Sequence, residues 1–296
     1  MENSISNYMD ARNLMVVKRN DLILKSRFNL SLQQQKIVLY LISQITPYDE
    51  EFKKLEFSIT EFCKVCGMDE TSGKNYKNLK DSIKDIADQS VWVDMGNGEE
   101  TLVRWIEKPY INKQKGTVQI RLDEDLKPYL LQLKSNYTQY ELFWTLRFRS
   151  KYSVRLFELV NSIHYHDLET YERTFTLDEL RKQLGLYDDK NRKQELYKTY
   201  NSFKTRVLDI ACEEINRYSN KNVSYVPIKN GRSVEKIRLI VSTKDTFETL
   251  KLRGEIEHEL GMDAEQLSFY DELVAKGHIS SPDKKDVIEV EPLEEA

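Results

Sequence analysis

The sequence has few cysteines and no long hydrophobic run. Its three cysteines provide no disulfide framework, which favours a reducing compartment and therefore the cytoplasm. No apolar stretch approaches the roughly 20 residues needed to span a bilayer, and the first ten residues lack the basic and then apolar pattern of a signal peptide. A phosphate-binding G-x-x-x-x-G-K-[ST] loop is missing too, which argues against ATP-driven unwinding by this chain.

Charge is plentiful but unevenly distributed along the 296 residues. The net charge of −4 argues weakly against nucleic acid as a partner. Residues 145–244, however, hold 20 Lys and Arg against 13 Asp and Glu, whereas residues 245–296 hold 5 against 15. A positive module followed by an acidic tail favours local binding to nucleic acid, and the acidity of the tail favours partial disorder.

The stretch from Lys193 to Val241 predicts one long helix followed by a tight hairpin. Residues 223–229 and 233–241 have the composition of strands, and Asn230-Gly231 is typical of a two-residue turn. A polar helix followed by a basic hairpin is typical of a winged helix-turn-helix, and the alternative is an ordinary amphipathic helix packed on a ribbon. The helical prediction rests on apolar residues at helical spacing: Leu196, Tyr200, Phe203, Val207, Ile210, Ala211 and Ile215.

The outer face of this helix has the donors and acceptors that DNA recognition requires. Lysine suits phosphate or guanine, and the side-chain amides of Asn201 and Gln194 match the adenine edge in the major groove. Arg206 lies nearer the apolar face, from which its long side chain reaches phosphate. The residues predicted to contact DNA here are Lys193, Gln194, Lys198, Asn201, Lys204, Thr205 and Arg206, together with Lys229 and Arg232 on the hairpin.

The second half of the chain repeats the pattern of the first. Residues 36–45 match 154–163 at an offset of 118, and Phe57-Ser-Ile-Thr-Glu-Phe matches Phe175-Thr-Leu-Asp-Glu-Leu at the same offset. The third helices match at an offset of 124, placing Tyr76 on Tyr200, and a hairpin follows each. We therefore expect an α+β fold of two tandem winged-helix domains related by internal duplication.

The expected division of the chain follows from this repeat. Residues 1–15 form a flexible N-terminus, 16–134 the first domain, 135–244 the second and 245–296 the acidic tail. The first hairpin carries Glu99 and Glu100 whereas the second carries Lys229, Arg232, Lys236 and Arg238, so the second domain is expected to be the main reader of DNA. The first domain is expected to contact the DNA backbone through Lys74, Lys77 and Lys80, or to serve in protein contacts.

Two motifs suggest other chemistry, and both are weighed against simpler interpretations. His164-Tyr165-His166 with Tyr200 resembles the metal and tyrosine motifs of rolling-circle nicking enzymes, but at the end of a helix the two histidines would point about 200° apart. Cys63 and Cys66 have zinc-like spacing, yet no second pair follows, and a small core residue is the simpler interpretation. We expect no catalytic residue, no metal and no cofactor.

Four segments resemble the iteron-binding initiator proteins of theta-replicating plasmids, over about residues 16–244. The sequence differs mildly from the family pattern at Gln34 and Ile210. The segments are Lys18-Arg-Asn-Asp-Leu-Ile23 with residues 30–42, Ser150–Leu159, Phe175–Gly185, and Phe203–Asp209 continuing to Glu214-Ile-Asn216.

The resemblance implies functions that the residues alone do not show. It implies binding to directly repeated origin DNA as a monomer, a homodimer in equilibrium with the monomer that represses its own promoter, and recruitment of the host replication initiator and replicative helicase. A transcription regulator with the same fold remains the other interpretation of the residues.

Overall fold

The computed structural model describes residues 14–65, 73–94, 98–163, 169–186 and 196–259. The first half contains β1 (Met15–Arg19), α1 (Asn20–Leu24), β2 (Ser26–Arg27), α2 (Leu32–Ser43), β3 (Leu55–Ser58), α3 (Ile59–Val65), α4 (Gly73–Asp88), β4 (Ser90–Asp94), β5 (Glu100–Arg104), β6 (Tyr110–Asn112), β7 (Thr117–Ile120) and α5 (Lys127–Leu130). The second half contains β8 (Tyr137–Glu141), α6 (Lys151–Ser162), β9 (Thr170–Thr176), α7 (Leu177–Gln183), α8 (Tyr200–Phe203), α9 (Asp209–Tyr218), β10 (Lys221–Asn230), β11 (Ser233–Thr243) and α10 (Thr246–Glu259). This mixture of helices and short antiparallel strands confirms the predicted α+β class.

Helix α2 begins where its sequence provides a capping box. The Ser31 hydroxyl accepts a hydrogen bond from the Gln34 backbone N–H at 3.3 Å, and the Gln34 side chain accepts one from the Ser31 N–H at 2.7 Å. Two N–H groups that would otherwise lack partners are thereby satisfied. The predicted inner face is confirmed, since Ile37 and Leu41 are fully buried.

The two predicted domains are called the first and the second unit below. The second unit is a winged helix built on one antiparallel sheet with the strand order β10-β11-β9. Val223 pairs with Val241, which in turn pairs with Tyr171, and all three side chains are buried. Helix α9 packs against β10 of this sheet, Phe203 of α8 is fully buried, and the predicted core is confirmed at Val207, Ala211 and Ile215.

The two units differ in how their strands pair, although the sequence predicts equivalent hairpins. Hairpin β4-β5 pairs with β2, and β3 pairs with β7 of a separate hairpin, β6-β7. In the second unit the hairpin β10-β11 pairs directly with β9, the counterpart of β3. The duplication therefore preserves the helices better than the sheets.

The chain on either side of the proposed boundary at residue 135 is joined by strand pairing. Residues 131–136 lie outside the helices and strands, and β8 begins just after them. Strand β8 pairs antiparallel with β1, with Val17 opposite Gln139. On the other side of the boundary, a 3-10 turn leads into α5.

A buried ion cluster joins the beginning of the chain to α6. Glu158 pairs with Lys18, and with Arg155 at 3.5 Å, and it accepts a hydrogen bond from the Tyr140 hydroxyl at 2.8 Å. All three charged side chains are at most 4% exposed. Burial opposes ionisation of Glu158, yet both cations and the two hydrogen bonds hold its pKa below the usual value.

Arg155 extends this cluster into α7. Its guanidinium donates to the Gln183 carbonyl at 2.8 Å and to the Ile23 carbonyl at 3.3 Å, and it lies 4.2 Å from the centre of the Phe28 ring. Three of the four segments that carry the family resemblance therefore meet here. At the end of the third, Gly185 has a φ of +69°, and a Cβ there would lie 2.5 Å from the Phe28 carbonyl oxygen. No other residue fits this close approach without a shift of the backbone.

The C-terminal unit begins with α10, a helix that the sequence analysis did not predict at this position. Most of the acidic tail and the N-terminal residues 1–13 lie outside the described residues. Among the described helices, none combines the length and the hydropathy that crossing a bilayer requires.

Replacing Glu158 by glutamine is expected to lower the free energy of unfolding by about 3–5 kcal/mol, because two buried cations lose their counter-ion. Urea denaturation followed by circular dichroism measures this change. Glu172→Gln is the matched control, since Glu172 forms an exposed pair with Arg238 at 3.7 Å and should cost at most about 1 kcal/mol. Equal losses for the two variants would contradict the assigned role of the cluster.

Candidate nucleic-acid interface

The helix that the sequence predicts from Lys193 onward begins later in the structure. Tyr197 has a φ of +52°, which no right-handed helix accommodates, and the Thr199 hydroxyl accepts a hydrogen bond from the Ser202 N–H at 3.2 Å. The predicted start at Lys193 is therefore wrong, and the first helical residue is Tyr200. The signal in the sequence is Thr199 itself, a good N-cap residue immediately before the polar helical segment.

A π-helical stretch, Lys204–Leu208, connects α8 to α9 and changes which residues face inward. Ile210, expected in the core, is 37% exposed, whereas Leu208 is fully buried. A turn with i→i+5 hydrogen bonds holds one residue more than an α-helical turn and changes the direction of the side chains next to it. Strict α-helical periodicity therefore misplaced Ile210.

The outer face of this helix leaves three predicted DNA contacts accessible. Asn201, Thr205 and Arg206 are all exposed. The Thr205 hydroxyl donates to the Asn201 carbonyl at 3.0 Å. Within the part of the chain that the structure describes, the Asn201 carboxamide has no hydrogen bond and Arg206 no ion pair, so both groups can serve a ligand.

Lys198 lies just before the helix and is positioned by Arg181 of α7. The Arg181 guanidinium donates to the carbonyls of Tyr197 and Lys198, the latter at 2.8 Å, and lies 5.2 Å from the centre of the Phe203 ring. The Lys198 side chain is exposed. Arg181 belongs to the third resemblance segment, and sequence reasoning had assigned it no role.

The wing is anchored to α9 by Asn216. Its side-chain oxygen accepts from the Val223 N–H at 2.6 Å, and its side-chain nitrogen donates to the Val223 carbonyl at 3.0 Å. One residue thus satisfies both backbone groups at the start of β10. The neighbouring Glu214 accepts hydrogen bonds from the backbone N–H groups of Arg149 and Ser150 before α6. Glu214 and Asn216, at the end of the fourth resemblance segment, are therefore positioning residues.

The tip of the wing is formed by Gly231 and Arg232 rather than by Asn230 and Gly231. Asn230 pairs with Ser233, and Gly231, with a φ of +61°, occupies the first central position of the turn, as in type II′ turns. An irregularity between Ile228 and Lys229 shifts the register. Lys229 and Arg232 are exposed, and neither forms an ion pair with any residue that the structure describes. Arg238 is instead paired with Glu172.

Lys204, which the sequence predicts to contact DNA, is paired with an acidic side chain. Its Nζ donates to Asp209 Oδ2 at 2.7 Å, while the Tyr225 hydroxyl of β10 donates to Asp209 Oδ1 at 2.5 Å. Partial burial opposes ionisation of Asp209, but these hydrogen bonds outweigh it and lower the pKa of the carboxyl group. Asp209 is therefore an anion at neutral pH and offsets the charge of Lys204.

The equivalent helix of the first unit, α4, also presents lysines to solvent. Lys77 and Lys80 are exposed, and the buried face contains Leu79, Ile83 and Ile86. The side chain of Lys74 lies outside the described residues. Further along α4, Lys84 is paired with Asp88 at 2.6 Å.

Several other predicted residues cannot be placed. Lys193 and Gln194 lie outside the described residues, as do His164, His166 and Cys66 of the motifs weighed for metal binding. Cys63 is buried, 2% exposed, in the core of the first unit. Within the described ranges no three His, Cys, Asp or Glu side chains come together as metal ligands.

The arrangement defines a class of protein. A capped polar helix with an accessible carboxamide and guanidinium, followed by a wing with two accessible cations, is typical of a winged helix-turn-helix. The chain combines this module with a related unit upstream.

Comparison with known protein families identifies the family to which the chain belongs. Residues 15–161 match the family described as initiator replication protein, WH1, and residues 176–241 match initiator Rep protein, WH2. The two matches together cover more than two thirds of the chain, and the chain belongs to this family of replication initiators. It is therefore a sequence-specific DNA-binding initiator, and the two predicted winged-helix domains are confirmed.

One solved structure supports the fold, and two others are less similar. The Pi initiator protein, solved in complex with iteron DNA, has a TM-score of 0.67 at 18% identity, over 79% of this chain and 99% of that one. Domains 2 and 3 of RctB give 0.39 at 13% identity, over 72% and 81%. The WH1 domain of a replication protein isolated from a multiple sclerosis patient gives 0.26 at 21% identity, over 34% and 79%.

Asn201→Ala is expected to cost roughly 1–3 kcal/mol of discrimination at one base pair, because a bidentate contact to adenine is lost. Fluorescence anisotropy with a series of single-base variants of the bound duplex measures the change. An equal loss of affinity on specific and random duplexes would refute a base-reading role for Asn201.

Arg206→Ala is expected to weaken binding to every duplex and to reduce the slope of log K against log salt by about one, because a single phosphate contact disappears. The measurement is a salt titration of affinity between low and physiological ionic strength. Lys198→Ala and Arg232→Ala should behave in the same way. An unchanged slope in all three variants would show that these cations lie away from the DNA.

Proposed function

We propose that this protein starts plasmid replication by binding directly repeated sequences at the origin, with the second unit as the main reader. The observation that carries this proposal is the exposed Asn201 and Arg206 beside the unpaired wing cations Lys229 and Arg232. Membership of the initiator family supports it, as does the similarity to an initiator whose structure contains iteron DNA.

The charges of the two units support different roles for them. Hairpin β4-β5 begins its second strand with exposed acids, Glu99 and Glu100, which repel phosphate. We assign to the first unit auxiliary backbone contacts through α4, including Lys77 and Lys80, and the subunit contacts of a homodimer. In this proposal the chain divides into residues 16–134 and 135–244, joined by the β1-β8 pairing and the Glu158 cluster.

The proposal includes regulation and partners. A dimer in equilibrium with the monomer represses the promoter of its own gene, and the monomer recruits the host replication initiator and the replicative helicase in the bacterial cytoplasm. The initiator acts by binding and makes or breaks no covalent bond itself. A pure transcription regulator with the same fold is the competing function.

The DNA beside the gene distinguishes these functions. Several direct repeats next to an A+T-rich region favour initiation, whereas a single inverted repeat over the promoter favours regulation alone. Repeats spaced by about two helical turns, roughly 20 base pairs, would place successive molecules on one face of the duplex.

Footprinting on this flanking DNA, with monomer and dimer fractions separated by size, tests the proposal. We expect the monomer fraction to protect the direct repeats and the dimer fraction to protect the promoter. Cleavage of one strand of the origin by the protein would instead revive a nicking function, and its loss in Tyr200→Phe would assign it to that tyrosine.

A further inference from the structure

The π-helical stretch brings together three side chains that an α-helix would separate. Residues aligned along an α-helix are three or four positions apart, whereas Lys204 and Asp209 are five apart and form an ion pair of 2.7 Å. A turn widened to i→i+5 places them on the same side of the helix. Asp209 Oδ1 is then used by Tyr225 of the wing and Oδ2 by Lys204.

We propose that Asp209 limits the sequence-independent affinity for DNA by withholding the charge of Lys204 from DNA phosphate. By neutralising this cation, Asp209 weakens attraction to every duplex equally, so that stable binding depends on contacts with the correct bases. This inference rests on the proposed reading of DNA by the second unit.

The position of the pair supports this role. The side chains of Lys204 and Asp209 are 41% and 40% exposed, so the pair lies at the surface beside exposed Asn201 and Thr205 rather than in the core. A carboxylate at a surface facing DNA repels phosphate and lowers affinity. Phosphate attraction is independent of sequence, whereas base contacts specify, so a lower charge here raises the relative weight of the base contacts.

Anchoring of the wing does not require Asp209. Strand β10 is already held by two hydrogen bonds from Asn216 and by pairing with β11 along its whole length. The contact between Tyr225 and Asp209 adds a further function, which is to fix the carboxylate next to Lys204. The neighbouring Arg206 forms no ion pair within the described chain, so the neutralisation is selective for one cation of the helix.

Asp209→Asn tests the inference, since it removes the charge and keeps the shape. We expect affinity for a random-sequence duplex to rise about three- to tenfold at physiological salt and the salt slope to steepen by about one, because Lys204 gains a phosphate contact. The affinity for the repeat duplex is expected to rise by the same factor, so that the ratio of the two affinities stays unchanged, because the phosphate contact is gained on both. Fluorescence anisotropy over a salt series gives all three quantities for the full chain.

Two further variants make the result specific. Adding Lys204→Ala to Asp209→Asn should abolish both the gain in affinity and the steeper slope. Glu124→Gln is the matched control, because it also removes one acid from surface ion pairs, with Lys127 and Arg121, but outside the interface. It should leave both affinities and the slope unchanged.

Each outcome has a distinct meaning. If Asp209→Asn weakens binding to both duplexes, or leaves the slope unchanged while its thermal unfolding matches that of the wild type, the inference is wrong and Asp209 merely positions the helix. If the wild type itself fails to distinguish the repeat duplex from the random one, the proposed function fails instead.

Discussion

The buried pairing of Glu158 with Lys18 and Arg155 is the interaction on which the rest of the molecule depends. Removing three charges from water carries a large desolvation cost, which is offset here because every charge has a partner at close range. Since Lys18 lies on β1 and Arg155 on α6, the cluster fixes the start of the chain against the first helix of the second unit. Arg155 also donates a hydrogen bond to the Gln183 carbonyl at the end of α7, so the cluster supports the helix that precedes α8.

A second set of contacts positions the backbone of the residues proposed to contact DNA. Arg181 of α7 holds the segment containing Lys198, and Asn216 of α9 holds the first strand of the wing. The side chains proposed to contact DNA need few contacts of their own, because their backbone is fixed by residues behind them. The segments that resemble the initiator family mostly contain these supporting residues, which explains why they identify the family without listing its base contacts.

Hydrophobic periodicity predicted most helices and their buried faces, because burial of an apolar stripe dominates their packing. It misplaced Ile210, since a π-helical turn changes the phase without leaving a local signal in the pattern. The start of α8 was also misplaced, although Thr199 provided a capping signal. Strand partners were the least predictable feature: the sequence has Asn-Gly at the predicted turn of both β4-β5 and β10-β11, yet the two hairpins pair with different strands, because pairing is set by contacts distant in sequence.

Counting cations along the sequence overestimated the charge available to DNA. Lys204 and Arg238 both appear among the basic residues of the second unit, but each has an acidic partner, Asp209 and Glu172 respectively. A count of charged residues does not show which of them are paired. Glu172, for example, lies on β9, far from Arg238 in sequence. The accessible surface is therefore smaller and less basic than the sequence suggests.

The most direct test of this account is photo-crosslinking of the full chain to a duplex of the flanking repeats in which bromodeoxyuridine replaces thymidine, with mass spectrometry of the attached peptides. The account predicts attachment within Thr199–Arg206 and within residues 229–232 at the wing tip. Attachment confined to the first unit, with none in either segment, would contradict it.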